Sequence, residues 1–255
     1  MPEYVEGYRL IWIWFFWFVG LTISTVVCSW LVKRFRDSLG YPTLLTFYIS
    51  YIIASNILAS RISEFNILIP LLLSGGTITF PFVAQLIDMI NEIYGRRLAY
   101  NAILLAFIAN VMVSMFIFML FTVPPAPWLV SIDDVWKYFM LQTPRVVIAS
   151  YTAFLIAEFL DATVFAEIKK RVYRYEVGTR SIFKGVLLRS VSSDVINMFV
   201  DSLVFFPLAF AYTVPWDVVW GMIWYGTYAK VLLSVLDTPW FIVFRLWTKG
   251  VRREL

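Results

Sequence analysis

The chain has 255 residues, of which 61% are hydrophobic, 19% aromatic and only 15% charged, and its mean hydropathy is +0.78. A soluble domain of this length carries about 25% charged residues, so this composition excludes a large soluble catalytic domain. The formal net charge of +4 does not indicate nucleic-acid binding, because membrane topology itself requires cationic loops.

Two residue types that often carry chemistry are scarce. The sequence contains no histidine, which excludes histidine-based acid–base catalysis and histidine metal ligation. The single cysteine, Cys28, lies in an apolar run and is predicted to be a buried apolar side chain without a disulfide. We predict no catalytic residue, no metal site and no cofactor.

Seven apolar stretches follow one another along the chain, and a membrane-spanning helix needs about 20 such residues. They occupy 10–32, 44–60, 67–93, 98–122, 146–168, 186–210 and 218–246. The first is predicted to be a retained span instead of a cleaved signal peptide. Trp12, Trp14 and Trp17 near its outer end are predicted to lie in the aromatic belt of the membrane interface. The pattern predicts an all-α polytopic membrane helical bundle of about seven spans.

The third stretch is irregular in its middle, where residues 74–81 read SGGTITFP. Glycine weakens a helix and proline removes a backbone donor, so we predict that this span is interrupted. In transporters, interrupted spans lie near the substrate site. A surface hairpin joining two half-length elements is the alternative for this segment.

Lysine and arginine are distributed unevenly over the two sets of loops. The loops at 33–43, 94–97 and 169–184 and the tail at 245–255 hold 15 of the 21, whereas the alternate loops hold four. Because cytoplasmic loops are rich in these residues, the N-terminus is expected outside and the C-terminus in the cytoplasm. This alternation requires the third stretch to cross the membrane.

Ionisable and amide side chains recur at helical spacing inside four predicted spans. They are Asp88, Asn91 and Glu92 in span three, Glu158 and Asp161 in span five, Asp194, Asn197 and Asp201 in span six, and Lys230 and Asp237 in span seven. An ionised group at the bilayer centre is energetically costly, so such side chains normally face the bundle interior and carry function. We expect these groups to meet around one sheltered site. The alternatives are an interfacial pairing of Glu92 with Arg96 and Arg97, and a helix-capping role for Asp237.

Seven acids against one deep lysine indicate protonated acids, a bound cation, or a ligand that donates hydrogen bonds. All three interpretations are typical of transporters. Phe80 and Phe165 lie close in sequence to the polar stripes and are candidates for stacking on a flat ligand, with ordinary packing as the alternative.

Four groups of short motifs recur together from the second predicted span to the last. They are Ala54-Ser55-Asn56; Thr79-Phe80-Pro81-Phe82 followed by DMINEIYGR at 88–96; Glu158-Phe159-Leu160-Asp161 with Val164-Phe165; and Ser192-Ser193 through Asp201, then Lys230-Val231-Leu232 and Asp237-Thr238-Pro239. In these motifs the chain resembles the queuosine precursor transporter family, also called the vitamin uptake transporter family. The resemblance implies one transporter domain over 1–255, with an extra N-terminal span and loop at 1–43, a six-span family core at 44–247 and a cytoplasmic tail at 248–255.

The resemblance further implies an importer of queuosine and archaeosine precursors in the cytoplasmic membrane. Such substrates are 7-deazaguanine bases, for example 7-cyano-7-deazaguanine and 7-aminomethyl-7-deazaguanine. The guanine edge of these bases carries two adjacent N–H donors, which one carboxylate accepts together. We therefore expect Asp161 or Asp201 to bind this edge.

The other candidate residues have subsidiary roles in this interpretation. Asn56 and Asn197 would bind the remaining polar atoms, and Phe80 or Phe165 would stack on the base. Lys230 would balance the carboxylates when the site is empty. Glu158 or Asp88 would carry a coupling proton. A secondary coupling or structural role is expected for four others: Asn91, Glu92, Asp194 and Asp237.

The expected partners are a small 7-deazapurine and the lipid bilayer, and no nucleic acid. A homodimer and a separate ATPase module are left open. The first alternative function is the substrate-binding membrane subunit of an ATP-driven vitamin importer, whose ATPase would be another chain because no GxxxxGK[ST] motif occurs here. The second, from another class, is an intramembrane aspartyl enzyme that uses Asp161 and Asp201.

Overall fold

The computed structural model describes the backbone of residues 4–67, 69–172 and 179–248, and the side chains of residues 12–65, 71–157 and 195–248. Within these ranges the chain forms α-helices, a π-helical turn at Arg36–Gly40, a 3-10 turn at Pro127–Leu129 and one short β-hairpin. The elements are α1 (Tyr4–Arg34), α2 (Tyr41–Leu58), β1 (Ile62–Ile67), β2 (Ile69–Ser74), α3 (Gly75–Tyr94), α4 (Arg96–Leu120), α5 (Val130–Val172), α6 (Thr179–Phe210) and α7 (Trp216–Trp247).

The helices confirm the predicted all-α membrane class. Each of the seven predicted stretches overlaps one helix. Among the described residues, the helical segments long and apolar enough to cross a membrane are Trp12–Arg34, Arg36–Leu58, Arg96–Leu120 and Pro127–Ala157, and Val195–Phe210 is a shorter apolar helix. The connection at 123–145, for which a short interfacial helix around Asp133–Leu141 is predicted, is largely helical, because α5 begins at Val130 and continues through Pro144.

As predicted, the third stretch, 67–93, is not one helix: β2 ends at Ser74, and α3 begins at Gly75 and continues past Pro81. Ser74 caps the helix, its hydroxyl accepting a hydrogen bond from the Gly76 amide at 3.2 Å. A Cβ atom added to Gly75 would lie 2.5 Å from the Leu58 carbonyl oxygen. The glycines therefore allow α3 to begin against the end of α2. The alternative for this segment was a surface hairpin; the hairpin in the structure lies earlier in the chain, because its antiparallel strands pair Ile62 with Ser74 and precede the helix.

The chain divides into two compact units. Unit 1 contains residues 1–143 and 232–255, and unit 2 contains residues 144–231. In unit 1, α2, α3 and α4 pack together around a core of buried side chains, to which α1 and α7 contribute. The members of this core are Cys28, Val32, Leu44, Tyr48, Leu86, Met89, Ile90, Ile93, Ala99, Ala102, Ala106 and Phe244. The burial of Cys28 and its free thiol confirm that prediction.

A second core cluster in unit 1 forms around Trp17, which is only 3% exposed. It packs with Leu21 and Leu233, and its indole Nε1 donates to the Ile78 carbonyl at 3.2 Å. The prediction that Trp17 belongs to the aromatic belt is therefore wrong. The reason is that Trp17 faces the first turn of α3, whereas Trp12 on another face of α1 is 55% exposed.

Unit 2 has its own buried apolar side chains, contributed by α5, α6 and the first part of α7. They are Val146, Val147, Ala149, Tyr151, Ala153, Ala157, Phe206, Ala209, Phe210, Ala211, Val219, Met222, Ile223 and Ala229. Six of these residues are alanines and three are aromatic. Gly226 on α7 leaves space for the ring of Phe206, which a Cβ atom at that position would overlap.

Candidate functional site

A buried ion pair joins α6 and α7 in unit 2. The Lys230 Nζ donates to Asp201 Oδ2 at 2.5 Å and to Ser202 Oγ at 3.2 Å. Lys230 is 5% exposed and Ser202 is fully buried. An ammonium group in such a place is stable only with an opposite charge and further acceptors, and the structure supplies both.

Two aromatic rings also lie close to this ammonium. The Lys230 Nζ lies 5.8 Å from the ring centroid of Phe205 and 5.7 Å from that of Phe206, within the range of cation–π attraction. Phe206 is itself fully buried and stacks on Phe210. Among the described side chains, a carboxylate, a hydroxyl and two rings surround the cation and restrict its position.

Asn197 lies one helical turn before Asp201 on α6. Its Oδ1 atom is sheltered from solvent and accepts no hydrogen bond in the described part of the chain. Leaving a buried acceptor unsatisfied costs about 1–3 kcal/mol. Asn197 and Asp201 therefore offer adjacent acceptors on one helix face, and Phe199 on the same helix contacts Trp224 of α7 with ring centroids 5.3 Å apart.

Asn56 on α2 is engaged by a residue that the sequence reasoning missed. Its Nδ2 donates to Asn110 Oδ1 on α4 at 2.8 Å, and both side chains are buried. Asn110 in turn donates to the Ala106 carbonyl at 2.8 Å. One feature of the sequence could have identified Asn110. It is the amide in the middle of Arg96–Leu120, which has the highest mean hydropathy of the candidate spans.

Phe80 lies half-buried on α3, next to a pair of hydroxyl groups that link this helix to α2. Thr79 Oγ1 donates to Ser55 Oγ at 2.8 Å, and Ser55 Oγ donates to the Gly76 carbonyl at 3.3 Å. Since Ser55 precedes Asn56, these bonds fix the part of α2 that also presents Asn56. Phe80 is thereby placed in the same region of unit 1 as Asn56.

Acidic side chains of α3 face the end of α7 that belongs to unit 1. Asp88 is exposed and is an electrostatic neighbour of Asp237, which is 9% exposed. One turn further along α3, Glu92 Oε1 lies 3.4 Å from Arg245 Nε. The pairing expected for Glu92 was with Arg96 and Arg97.

Arg245 is an ion-pair partner of Glu92 among the described residues. Arg96 is engaged elsewhere, because its Nε and Nη2 donate to the Tyr100 hydroxyl at 2.9 and 2.7 Å. Asn91 is exposed on the same part of α3. The Glu92 and Arg245 pair lies at the end of α7 and beside the last turn of α3, so these two helix ends meet in unit 1.

Four of the predicted residues lie outside the described side chains. They are Glu158, Asp161, Phe165 and Asp194. Of the rest, the structure brings Asp201 to Lys230 in unit 2 and Asp88 to Asp237 in unit 1. Among the side chains described, no group of three or more acidic, histidine or cysteine residues has an arrangement that would hold a metal ion.

Arg145 on α5 is a second structurally important residue that the sequence analysis did not identify. It is one of the four cations that the analysis placed in the alternate loops. Its Nε donates to the Leu208 carbonyl at 2.8 Å, and its Nη2 donates to the Ala211 carbonyl. These carbonyls belong to the end of α6, where backbone acceptors lack helical partners and a cation is favoured by the helix dipole. Arg145 therefore fixes the end of the helix that carries Asn197 and Asp201.

Membrane-spanning helices with ionisable side chains buried between them define a polytopic membrane protein of the transporter class. Residues 74–244 match the family model described as "Putative vitamin uptake transporter", which covers more than half of the chain. The chain belongs to this family, as its motifs indicated, and the family consists of transporters and not of enzymes.

One curated relative extends this comparison. A "Probable queuosine precursor transporter" of Haemophilus influenzae is 27% identical over 135 residues, which are 53% of this chain and 51% of the relative. The matched region thus spans about half the length of that relative. No solved structure matches the chain.

Proposed function

We propose that this protein imports 7-deazaguanine bases, the precursors of queuosine and archaeosine, across the cytoplasmic membrane. The observation that carries the proposal is the arrangement on α6, where Asn197 Oδ1, which accepts no hydrogen bond from the described residues, lies one turn from the Asp201 carboxylate. The name of the Haemophilus influenzae relative supports the same class of substrate. 7-Cyano-7-deazaguanine and 7-aminomethyl-7-deazaguanine are the specific substrates proposed.

The chemistry of the base fits these acceptors. A guanine edge presents N–H donors at N1 and at the 2-amino group, and a carboxylate accepts both. The Lys230 ammonium binds Asp201 Oδ2, and a carboxylate has about four acceptor sites on its two oxygens, so a base could donate to Asp201 while the ion pair with Lys230 is kept. Ser202 and the rings of Phe205 and Phe206 would hold the ammonium in place while the base binds.

The remaining candidates are proposed as contacts to be tested one by one. Asn56 and Phe80 in unit 1 would bind and stack on the base, and Asp88 would carry a coupling proton. Glu158, Asp161 and Phe165 have the same proposed roles as in the sequence analysis. We also propose that the 44–247 segment is the transporter core within a single domain.

The proposed orientation has the N-terminus outside and the C-terminus in the cytoplasm. It is supported by two hydrogen bonds that bring two arginine-rich connections together. The Tyr94 hydroxyl donates to the Arg36 carbonyl at 3.0 Å, and the Tyr41 hydroxyl donates to the Leu98 carbonyl at 3.1 Å. The connections after α1 and after α3 therefore lie at one end of unit 1, as a shared cytoplasmic side requires.

The test is uptake in a host that neither makes nor imports these bases. The full chain is expressed, 7-cyano-7-deazaguanine is supplied, and queuosine in tRNA is measured by mass spectrometry. We expect queuosine to appear with the wild type and to be lost with Asp201→Ala at equal membrane abundance. Asp217→Ala, which removes an exposed carboxylate at the start of α7, is the matched control and should transport normally.

Normal uptake by Asp201→Ala would remove this residue from the site. Failure of the wild type with both bases would contradict the proposed substrate. The second candidate function, the substrate-binding subunit of an ATP-driven vitamin importer, is favoured by the family description. Co-purification of a nucleotide-binding chain together with selective binding of a vitamin such as biotin would establish it instead.

A further inference from the structure

Two connections of unit 1 are tied together by a reciprocal pair of tyrosines. Tyr94, at the end of α3, donates to the backbone of the α1–α2 turn at Arg36, and Tyr41, at the start of α2, donates to the backbone after the α3–α4 turn at Leu98. The two rings meet edge-on, with centroids 5.5 Å apart. Residues 33–41 and 94–98, called here the paired turns, are therefore fixed side by side.

The paired turns carry a surplus of positive charge. Their cations are Lys33, Arg34, Arg36, Arg96 and Arg97, and their acidic residue is Asp37, which is exposed. In the part of the chain whose side chains are described, no ion pair holds Lys33, Arg34, Arg36 or Arg97. The nearby Glu92 is paired with Arg245. An anion from outside the chain would therefore find several cations available.

Arg36 differs from the other cations because it is half-buried. Its Nη2 is sheltered from water and has no hydrogen-bond partner in the described part of the chain. A guanidinium group has five N–H donors and no acceptor, so a sheltered nitrogen requires an acceptor oxygen. The planar fork of arginine matches the paired oxygens of a phosphate group.

The position of the paired turns identifies the source of that phosphate. One apolar segment ends at Arg34, the next begins at Arg36, and a third begins at Arg96. The ends of such segments lie at the level of the lipid headgroups. The phosphate groups present at this level at high concentration are those of the membrane lipids themselves.

We propose that the paired turns form a binding site for the phosphate group of an anionic phospholipid. Arg36 donates to the phosphate from the sheltered side, and the exposed Lys33, Arg34 and Arg97 supply the surrounding positive charge. A diffuse cationic surface attracts anionic lipids without any one residue being essential. The proposed site instead depends on Arg36 in particular.

The experiment is native mass spectrometry of the full chain in detergent with phosphatidylglycerol or phosphatidylcholine added. We expect the wild type to bind phosphatidylglycerol at least about fivefold more tightly than phosphatidylcholine. Arg36→Gln should remove most of this preference, and Arg36→Lys, which keeps the charge without the fork, should retain part of it. Arg61→Gln removes an exposed arginine from the α2–β1 turn, and as the matched control it should bind like the wild type.

Three outcomes would overturn the proposal. They are wild-type lipid preference in Arg36→Gln, an equal loss of preference in Arg61→Gln, and displacement of phosphatidylglycerol by inorganic phosphate at millimolar concentration, which would indicate a site for soluble phosphate. Because Arg36→Gln risks misfolding, Arg97→Gln provides a second variant at an exposed position. It should weaken phosphatidylglycerol binding severalfold, and unchanged binding by this variant would also count against the site.

Discussion

Lys230 and Asp201 form an ion pair with 7% and 26% of their side-chain surfaces exposed, so the cation is the more deeply buried partner. Removing the carboxylate leaves a buried ammonium, whereas removing the ammonium leaves a carboxylate that water still reaches. Breaking a buried pair from one side costs about 3–5 kcal/mol. We predict that Asp201→Leu lowers the thermal midpoint more than Lys230→Met does, measured by tryptophan fluorescence in micelles.

The double variant separates the stability of this pair from its proposed function. Asp201→Leu combined with Lys230→Met removes both members of the described pair, so it should recover part of the stability that Asp201→Leu loses. Uptake of 7-cyano-7-deazaguanine should remain absent, because the acceptor for the base is missing. A double variant less stable than both single variants would show that the two side chains do not act as a pair.

The amide pair of Asn56 and Asn110 gives a second prediction. Replacing either residue by leucine leaves the other amide buried with one partner fewer, which costs about 1–3 kcal/mol. Replacing both should restore part of this loss, and a double-mutant cycle on thermal midpoints measures the coupling. If Asn56 also binds substrate, the double variant folds but does not transport. Additive losses without coupling would contradict the bond.

The positions of the helices were predictable from the sequence, because about 20 apolar residues in succession have few alternatives to a membrane helix. The beginning of α3 was not. A glycine pair can mark a broken helix or a close helix contact, and the sequence does not distinguish them. The Leu58 carbonyl belongs to α2, and its position shows that Gly75 allows α3 to begin in close contact with the end of α2.

The candidate site was also predictable only in part, because residues on one helix could be grouped but their partners on other helices could not. Side chains three or four positions apart lie on one helix face, so the presence of Asn197 and Asp201 on one face of α6 followed from spacing. Partners on different helices did not follow. Glu92 meets Arg245, which is far away in the sequence, while the arginines next to it in sequence suggested another pair. Asn110 was missed because a lone amide in an apolar span has no partner at helical spacing.

The close contact at the start of α3 gives a third prediction. A Cβ atom at Gly75 would lie 2.5 Å from the Leu58 carbonyl oxygen and 3.3 Å from its carbon, and backbone atoms do not yield easily. We expect Gly75→Ala to destabilise the protein by about 1–3 kcal/mol, as overpacking does. At Gly221 the same atom would meet Tyr225 at 3.6 Å, an ordinary contact. Gly221→Ala should therefore be neutral or stabilising, by up to about 1 kcal/mol, and equal midpoints for the two variants would contradict the prediction.

Trp17 and Trp12 lie on the same helix in opposite surroundings, which gives the fourth prediction. Trp17 is 3% exposed and donates to the Ile78 carbonyl, whereas Trp12 is 55% exposed. Trp17→Ala removes packing on the first turn of α3 and should cost about 3 kcal/mol or more, while Trp12→Ala should cost well under half of that. Trp17→Phe keeps a ring but loses the donor, so an intermediate loss of about 1 kcal/mol is expected. Thermal midpoints of the three variants measure these differences, and similar losses for Trp17→Ala and Trp12→Ala would mean that the indole of Trp17 does not anchor α1 to α3.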